Sequence, residues 1–171
     1  MIIGCGNIAG QCDDPATTPP SSHGQAIVQH GELKISSCVD TDPVAATDFA
    51  RKYGADHVFN TIEEIDKGLS FDLAVVCTPD DTHFDIVSSL LKTRPGTIGS
   101  ILVEKPVCRS TRELEILLAL GRDKNIPIFI NMSRRFHPLY HQLKQAIENE
   151  QTGQLERADI FYYGGWLHRC F

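Results

Sequence analysis

The sequence contains no CxxC pair and no alternation of cysteine with histidine. Its six cysteines, Cys5, Cys12, Cys38, Cys77, Cys108 and Cys170, stand singly. Zinc-site spacings and a secreted disulfide framework are therefore both disfavoured, and no metal is expected. Four of the six sit in or beside apolar strand-like runs, where a free cysteine acts as a small buried hydrophobe. Positive charge is also short. Lys plus Arg number 16 against 22 Asp plus Glu, a formal net charge of -6. That balance argues against a nucleic-acid partner held by phosphate neutralisation and favours a small soluble one.

Long hydrophobic runs are missing too. LAVVC from Leu73 and SILVEK from Ser100 are strand-sized and far short of a membrane span. The start, MIIGCG, has no basic stretch before an apolar core, so no secretory leader is read and the expected location is the cytoplasm. With 171 residues, 42% of them hydrophobic, the chain is expected to fill one complete domain and to begin another.

What is present is alternation. Short β-branched runs at Met1 to Gly4, Leu33 to Val39, Val58 to Phe59, Leu73 to Cys77, Ile98 to Val103 and Ile126 to Ile130 are separated by amphipathic stretches. The pattern predicts α/β architecture, a doubly wound and mostly parallel sheet with helices on both faces. Pro43 to Tyr53, closed by Gly54, reads as a helix. So do Asp80 to Leu91 and the stretch after Ser110, and Thr61 with Glu64 opens a short one through a capping box. The polar, proline-rich stretch Gln11 to Gly24 reads as an inserted loop. After Ala158 a strand-like run carries Tyr162, Tyr163 and Trp166, which suit packing against a further sheet; left uncovered, they would favour self-association into a homo-oligomer.

The chemistry lies at the ends of the strands. The first is followed by Gly4-x-Gly6-x-x-Ala9, a dinucleotide fingerprint. Its first glycine permits a tight turn, its second lets backbone approach a pyrophosphate, and its small third residue lets helix and strand pack closely. Asp40 ends the second strand, where a carboxylate accepts ribose hydroxyls and repels a 2′-phosphate, so NAD is favoured over NADP. The bland alternative is a solvated strand-end aspartate. Asp40 lies further from the fingerprint than the usual distance of about 20 residues, which the inserted loop accounts for. Thr78 and Pro79 end the fourth strand, facing the crevice where open α/β sheets bind ligands. His83 follows, read as a cofactor contact against the alternative of a surface histidine beside Asp80 and Asp81. Lys105, after the fifth strand, is a candidate proton carrier or carbonyl polariser whose direction Pro106 fixes.

Together, GCGNIAG, CVDTDP, VVCTPDDTHFDIV, LVEKP and INMSRRFHPLYHQLKQAI resemble, in order and spacing, the glucose-fructose oxidoreductase and inositol dehydrogenase family, Gfo/Idh/MocA. The resemblance covers nearly the whole chain, and EKP is its most specific element. It implies hydride transfer between nicotinamide and a carbon of a sugar, cyclitol or similar polyhydroxy substrate. It places Gly4, Gly6, Asn7, Ile8 and Ala9 at the pyrophosphate, Asp40 at the adenosine ribose, and Thr78, Pro79 and His83 along the middle and nicotinamide side. It also puts Glu104 near the nicotinamide ribose, Lys105 near the substrate hydroxyl and Asn131 at the nicotinamide end, with Arg134 and Arg135 leading to the substrate.

The resemblance implies a nucleotide-binding domain over residues 1–133, with 134–171 forming a connecting helix and the start of a substrate or dimerisation domain. In the family that second domain adds an aspartate and a histidine to the lysine, and no aspartate follows His168. These residues alone are expected to bind cofactor without full turnover. Two other readings stay open: a non-catalytic NAD(P)-binding sensor or regulator, and a methyltransferase, for which EKP has no use. His137 and His141 lack a third local ligand, so a metal there is set aside.

Overall fold

The apolar runs pair side by side in the computed structural model, which describes residues 1–16, 18–94, 96–150, 153–159 and 161. Six strands, β1 (Ile2–Ile3), β2 (Ser37–Val39), β3 (His57–Phe59), β4 (Phe71–Val76), β5 (Ile98–Val103) and β6 (Ile128–Ile130), form one sheet in the order β3-β2-β1-β4-β5-β6. Every pairing is parallel. The order reverses between β1 and β4. That switch point opens the crevice in which doubly wound sheets hold ligands, outside the carboxyl ends of the strands.

Helices α1 (His23–His30), α2 (Pro43–Tyr53), α3 (His83–Thr93) and α4 (Thr111–Lys124) connect the strands. One core, with Ile2, Cys38, Phe49 and Val75, lies between the sheet and α1 and α2. The other, with Ile3, Val76, Leu90, Leu91, Ile101 and Leu117, lies under α3 and α4. A fully buried Leu90 or Leu91 contributes roughly 1.5–3 kcal/mol by leaving water. The chain forms two compact units, Met1–Asn131 and Met132–Phe171. The second carries the 3-10 turn Ser133–Phe136 and helix α5 (Pro138–Glu148), whose N-cap is His137.

Local chemistry explains the helix ends. Asp42 accepts from the amides of Val44 and Ala45, Pro43 opens α2, and Gly54 closes it at φ 73°. Ser110 accepts from Glu113 N at 3.2 Å and starts α4. At Thr61 the expected capping box does not form. Glu64 instead accepts from Asn60 N at 2.8 Å, and only the 3-10 turn Ile62–Glu64 results. Helix α3 starts at His83 rather than Asp80, because Thr82 N turns back to Pro79 O at 3.0 Å. Strand β2 is shorter than the run from Leu33 suggests, since its neighbours offer ladders of two and three residues. Strand β6 begins after Pro127, which has no N–H to give the ladder. No strand forms at Ala158 or Asp159, and Tyr162, Tyr163 and Trp166 lie outside the described residues.

The inserted loop leaves the first helix and returns to it. After β1 the backbone makes one turn, with Gly10 N and Gln11 N bonded to Gly6 O. In an uninterrupted helix, Ile8 O and Ala9 O would then receive the amides four residues on. They receive His23 N at 3.1 Å and Gly24 N at 2.8 Å instead. Cys12 to Ser22 is therefore looped out of a helix that resumes in register as α1, and the loop ends two residues earlier than its composition suggests. Its neck is closed by the buried Gln25 side chain, which donates to Asp14 O and accepts from Ser21 N at 2.8 Å. The Gly10 carbonyl, which receives only the long 3.4 Å bond from Asp13 N within the loop, accepts also from Lys52 Nζ at 2.7 Å and from the Tyr53 hydroxyl at 3.1 Å.

Candidate functional site

The site begins at the turn after β1. Gly4 takes φ +86°, and a Cβ on it would lie 2.7 Å from Thr78 N and 2.8 Å from the Cys77 carbonyl carbon. No other residue lets β1 and the end of β4 come this close at the switch point. At Gly6 the opposite holds. A Cβ there would meet nothing within 4 Å, so its surface is open to a ligand. Ala9 is fully buried where the helix packs on the sheet, while Asn7 and Ile8 are exposed. An open glycine in the turn that leads into a helix, where the leading amides have no intrahelical partner, fits a pyrophosphate.

Asp40 lies beside this turn. Its Oδ2 accepts from Cys5 N at 2.6 Å and its Oδ1 from Asp42 N at 2.9 Å. The carboxylate is thereby tied to the fingerprint itself, and is not a free strand-end charge. With Cys12 to Ser22 looped out, the remaining separation returns to the usual spacing of about 20 residues.

Beyond the switch point, Thr78 is half-buried and Pro79 exposed. The Thr82 hydroxyl lies 2.8 Å from that of Thr78 and 2.7 Å from Pro79 O. His83 is only 1% exposed, which removes the surface alternative. Its Nε2 lies 2.8 Å from Thr78 O and its Nδ1 2.7 Å from Pro106 O. Both ring nitrogens face backbone carbonyls, and the one that carries the proton donates to its carbonyl, so His83 braces the segments that follow β4 and β5 and presents no nitrogen to a cofactor.

At the end of β5, Glu104 is 8% exposed. Its Oε1 accepts from His23 Nε2 at 2.8 Å and from Asn131 Nδ2 at 2.6 Å, while Oε2 accepts the long 3.3 Å bond from Lys105 N. Burial alone would push this carboxyl up. The hydrogen bonds from His23 and Asn131, the His23 charge and the Lys105 amide outweigh burial and hold it below its ordinary value. Lys105 itself is exposed, next to Pro106. Asn131 is fixed by its own amide, bonded to Val103 O at 2.8 Å.

His23 is the residue that sequence reasoning missed. It sits in the stretch read as loop, 81 residues from Glu104. The only signal for it is that the helical register resumes there. Arg134 and Arg135 lie in the 3-10 turn of the second unit, where Arg135 N bonds to Met132 O.

The buried cysteines are structural. The Cys5 thiol, hydrogen-bonded to the free Cys38 thiol and buried, is pushed up, and burial with the Glu104 charge pushes Cys77 up as well. Among the described residues no His, Cys, Asp and Glu cluster could hold a metal, and no helix is long and apolar enough to cross a membrane. A recess of about 260 Å³ lies among Asp80, Asp81, Phe84, Asp85, Cys108, Arg109 and Glu113. Its four carboxylates would repel a pyrophosphate, so it is not the nucleotide crevice.

Residues 1–132 match the family described as "Oxidoreductase family, NAD-binding Rossmann fold", GFO_IDH_MocA. The chain belongs to the Gfo/Idh/MocA oxidoreductase family. Inositol 2-dehydrogenase of Rhizobium meliloti is 28% identical over 138 residues, 81% of this chain and 40% of that protein. The WlbA dehydrogenase from Bordetella pertussis, in complex with NADH and UDP-GlcNAcA, superimposes with a TM-score of 0.73 at 21% identity, over 89% of this chain and 42% of that one. A variant of a 3-ketoreductase from Actinomadura kijaniata, in complex with TDP-benzene and NADP, gives 0.68 at 19%, over 90% of this chain and 42% of that one. These superpositions show the fold, and structural neighbours carry NADH or NADP. This Gfo/Idh/MocA chain spans about two fifths of the length of the relatives it matches.

Proposed function

We propose that the chain is the cofactor-binding part of an NAD-dependent dehydrogenase acting on a sugar, cyclitol or similar polyhydroxy substrate. One arrangement carries the reading: open Gly6, fingerprint-bonded Asp40 and the Glu104–Lys105 turn all lie at the carboxyl edge of one parallel sheet. We assign residues 1–133 to nucleotide binding, and 134–171 to a connecting helix and the start of a substrate or dimerisation domain. The division of the chain after Asn131 supports that boundary. The buried free thiols suit a reducing location such as the cytoplasm.

The Gly4 to Ala9 turn would hold the pyrophosphate, with Asn7 and Ile8 at its open side and amides as donors. Asp40 would accept the adenosine ribose hydroxyls, and its charge disfavours the 2′-phosphate of NADP. Thr78 and Pro79 would line the middle of the cofactor, with His83 bracing them from below, and Glu104 and Asn131 would flank its nicotinamide end. Nicotinamide, when bound, supplies hydride exchange with a substrate carbon. Lys105 would hold or release the alcohol proton at Nζ, and Arg134 and Arg135 would serve the substrate side. The inositol dehydrogenase relative and the neighbour holding UDP-GlcNAcA support a polyhydroxy substrate.

Thermal unfolding with NAD, NADP and S-adenosylmethionine tests the reading. NAD should raise the midpoint most. A rise with S-adenosylmethionine alone contradicts it. Stabilisation by NAD without turnover on any polyol, even with a complete relative's second domain attached, favours a non-catalytic sensor.

A further inference from the structure

The helix that carries the fingerprint and the turn that carries Lys105 are joined by one side-chain contact. His23 opens α1 where the looped-out segment ends, and its Nε2 donates to Glu104 Oε1 at 2.8 Å. The pair is largely sheltered, with 12% and 10% of the two side chains exposed. Its backbone ties run to the cradle, through His23 N to Ile8 O at 3.1 Å and through Glu104 N to Val76 O at 3.0 Å on β4.

A carboxylate offers about four lone-pair directions across two oxygens. Here they are used unequally. Oε1 receives both strong side-chain donors, His23 and Asn131, while Oε2 keeps only the 3.3 Å bond from the next amide. A carboxylate held this way by one oxygen cannot rotate without breaking two bonds. Its second oxygen is left as a directed acceptor.

We propose that His23 is a positioning residue that, with Asn131, fixes Glu104 so that Oε2 is presented to a hydroxyl of the nicotinamide-side ribose, linking the phosphate helix to the Lys105 turn. The proposal rests on the NAD reading above. It predicts that His23 matters for the nicotinamide half of the cofactor and not for the adenine half. The titratable groups beside Glu104 are His23 from α1, Lys105 next in the chain and, just past β4, Cys77, whose thiol the Glu104 charge helps push up; the residue after β6 is the neutral Asn131.

The test is calorimetric titration of the full 171-residue chain with NAD and with ADP, the latter carrying only the adenosine and phosphates. In His23→Leu, NAD affinity should fall about tenfold while ADP affinity stays within about twofold, because one charge-assisted hydrogen bond is lost at the far end only. Asn131→Ala should show the same split, and His23→Gln, which keeps a donor, should recover most of the loss. Carbon-13 titration of the Glu104 carboxyl supplies a second readout, its midpoint moving up in His23→Leu. Equal loss of NAD and ADP, or unchanged NAD affinity with an unmoved Glu104 midpoint, overturns the role of His23. If the unaltered chain binds neither ligand, the NAD reading fails, and the His23 role with it. If it binds both and only the split is missing, the His23 role fails alone.

Discussion

The two ends of the crevice are built differently. The fingerprint end is made of backbone: Gly4 pressed against Cys77 and Thr78, Gly6 open, and a turn closed by the Gly10 and Gln11 amides on Gly6 O. The EKP end is made of side chains, with Glu104 held by His23 and Asn131, and His83 bridging Thr78 O and Pro106 O. Backbone sites tolerate no added atoms where they are close. Side-chain sites tolerate exchange but depend on protonation. Each end should therefore fail in its own way.

The largest effect is expected at the backbone end. Gly4→Ala puts a methyl group within 3 Å of the Cys77 and Thr78 backbone at a positive φ and should cost about 2–3 kcal/mol of stability, measured by urea unfolding. Asp40→Ala should weaken NAD about fivefold, roughly 1 kcal/mol, and narrow the preference over NADP, with a small stability loss from the freed Cys5 amide. At the side-chain end the expected sensitivity is to acid. The carboxyl of Glu104 lies below its ordinary value when folded, so its contribution is fully present above the unfolded carboxylate pKa, about 4.3. It should be lost as pH falls through the folded pKa. Stability against pH in the unaltered chain and in Glu104→Gln should converge in acid, the variant showing the shallower slope.

This contrast also decides what could be read from the residues. Gly4, Gly6 and Ala9 stand close together in the chain, and their spacing encodes the turn directly, as Asp40 at a strand end encodes its place. The helix Pro43–Tyr53 and the strand Ile98–Val103 form over the residues their patterns predict, because caps and apolar alternation are local. The His23–Glu104 pair spans 81 residues, and no periodicity reports it. Helix α1 was hidden for a related reason: its first turn and its body are separated by a proline-rich excursion, so neither piece shows a full amphipathic repeat. His83 was legible as part of a TPxxxH pattern, yet its burial and its two carbonyl partners emerge only when the loops after β4 and β5 come together.

The open space over Gly6 is proposed as a pyrophosphate cradle. Calorimetric titration of the chain and of Gly6→Val with NAD addresses it most directly. A Cβ at this position meets no protein atom within 4 Å, so the variant should unfold at nearly the same urea concentration as the unaltered chain. Saturable binding of one NAD to the unaltered chain is expected, with at least about tenfold weaker binding to the folded variant. Equal NAD affinity in both proteins would contradict it.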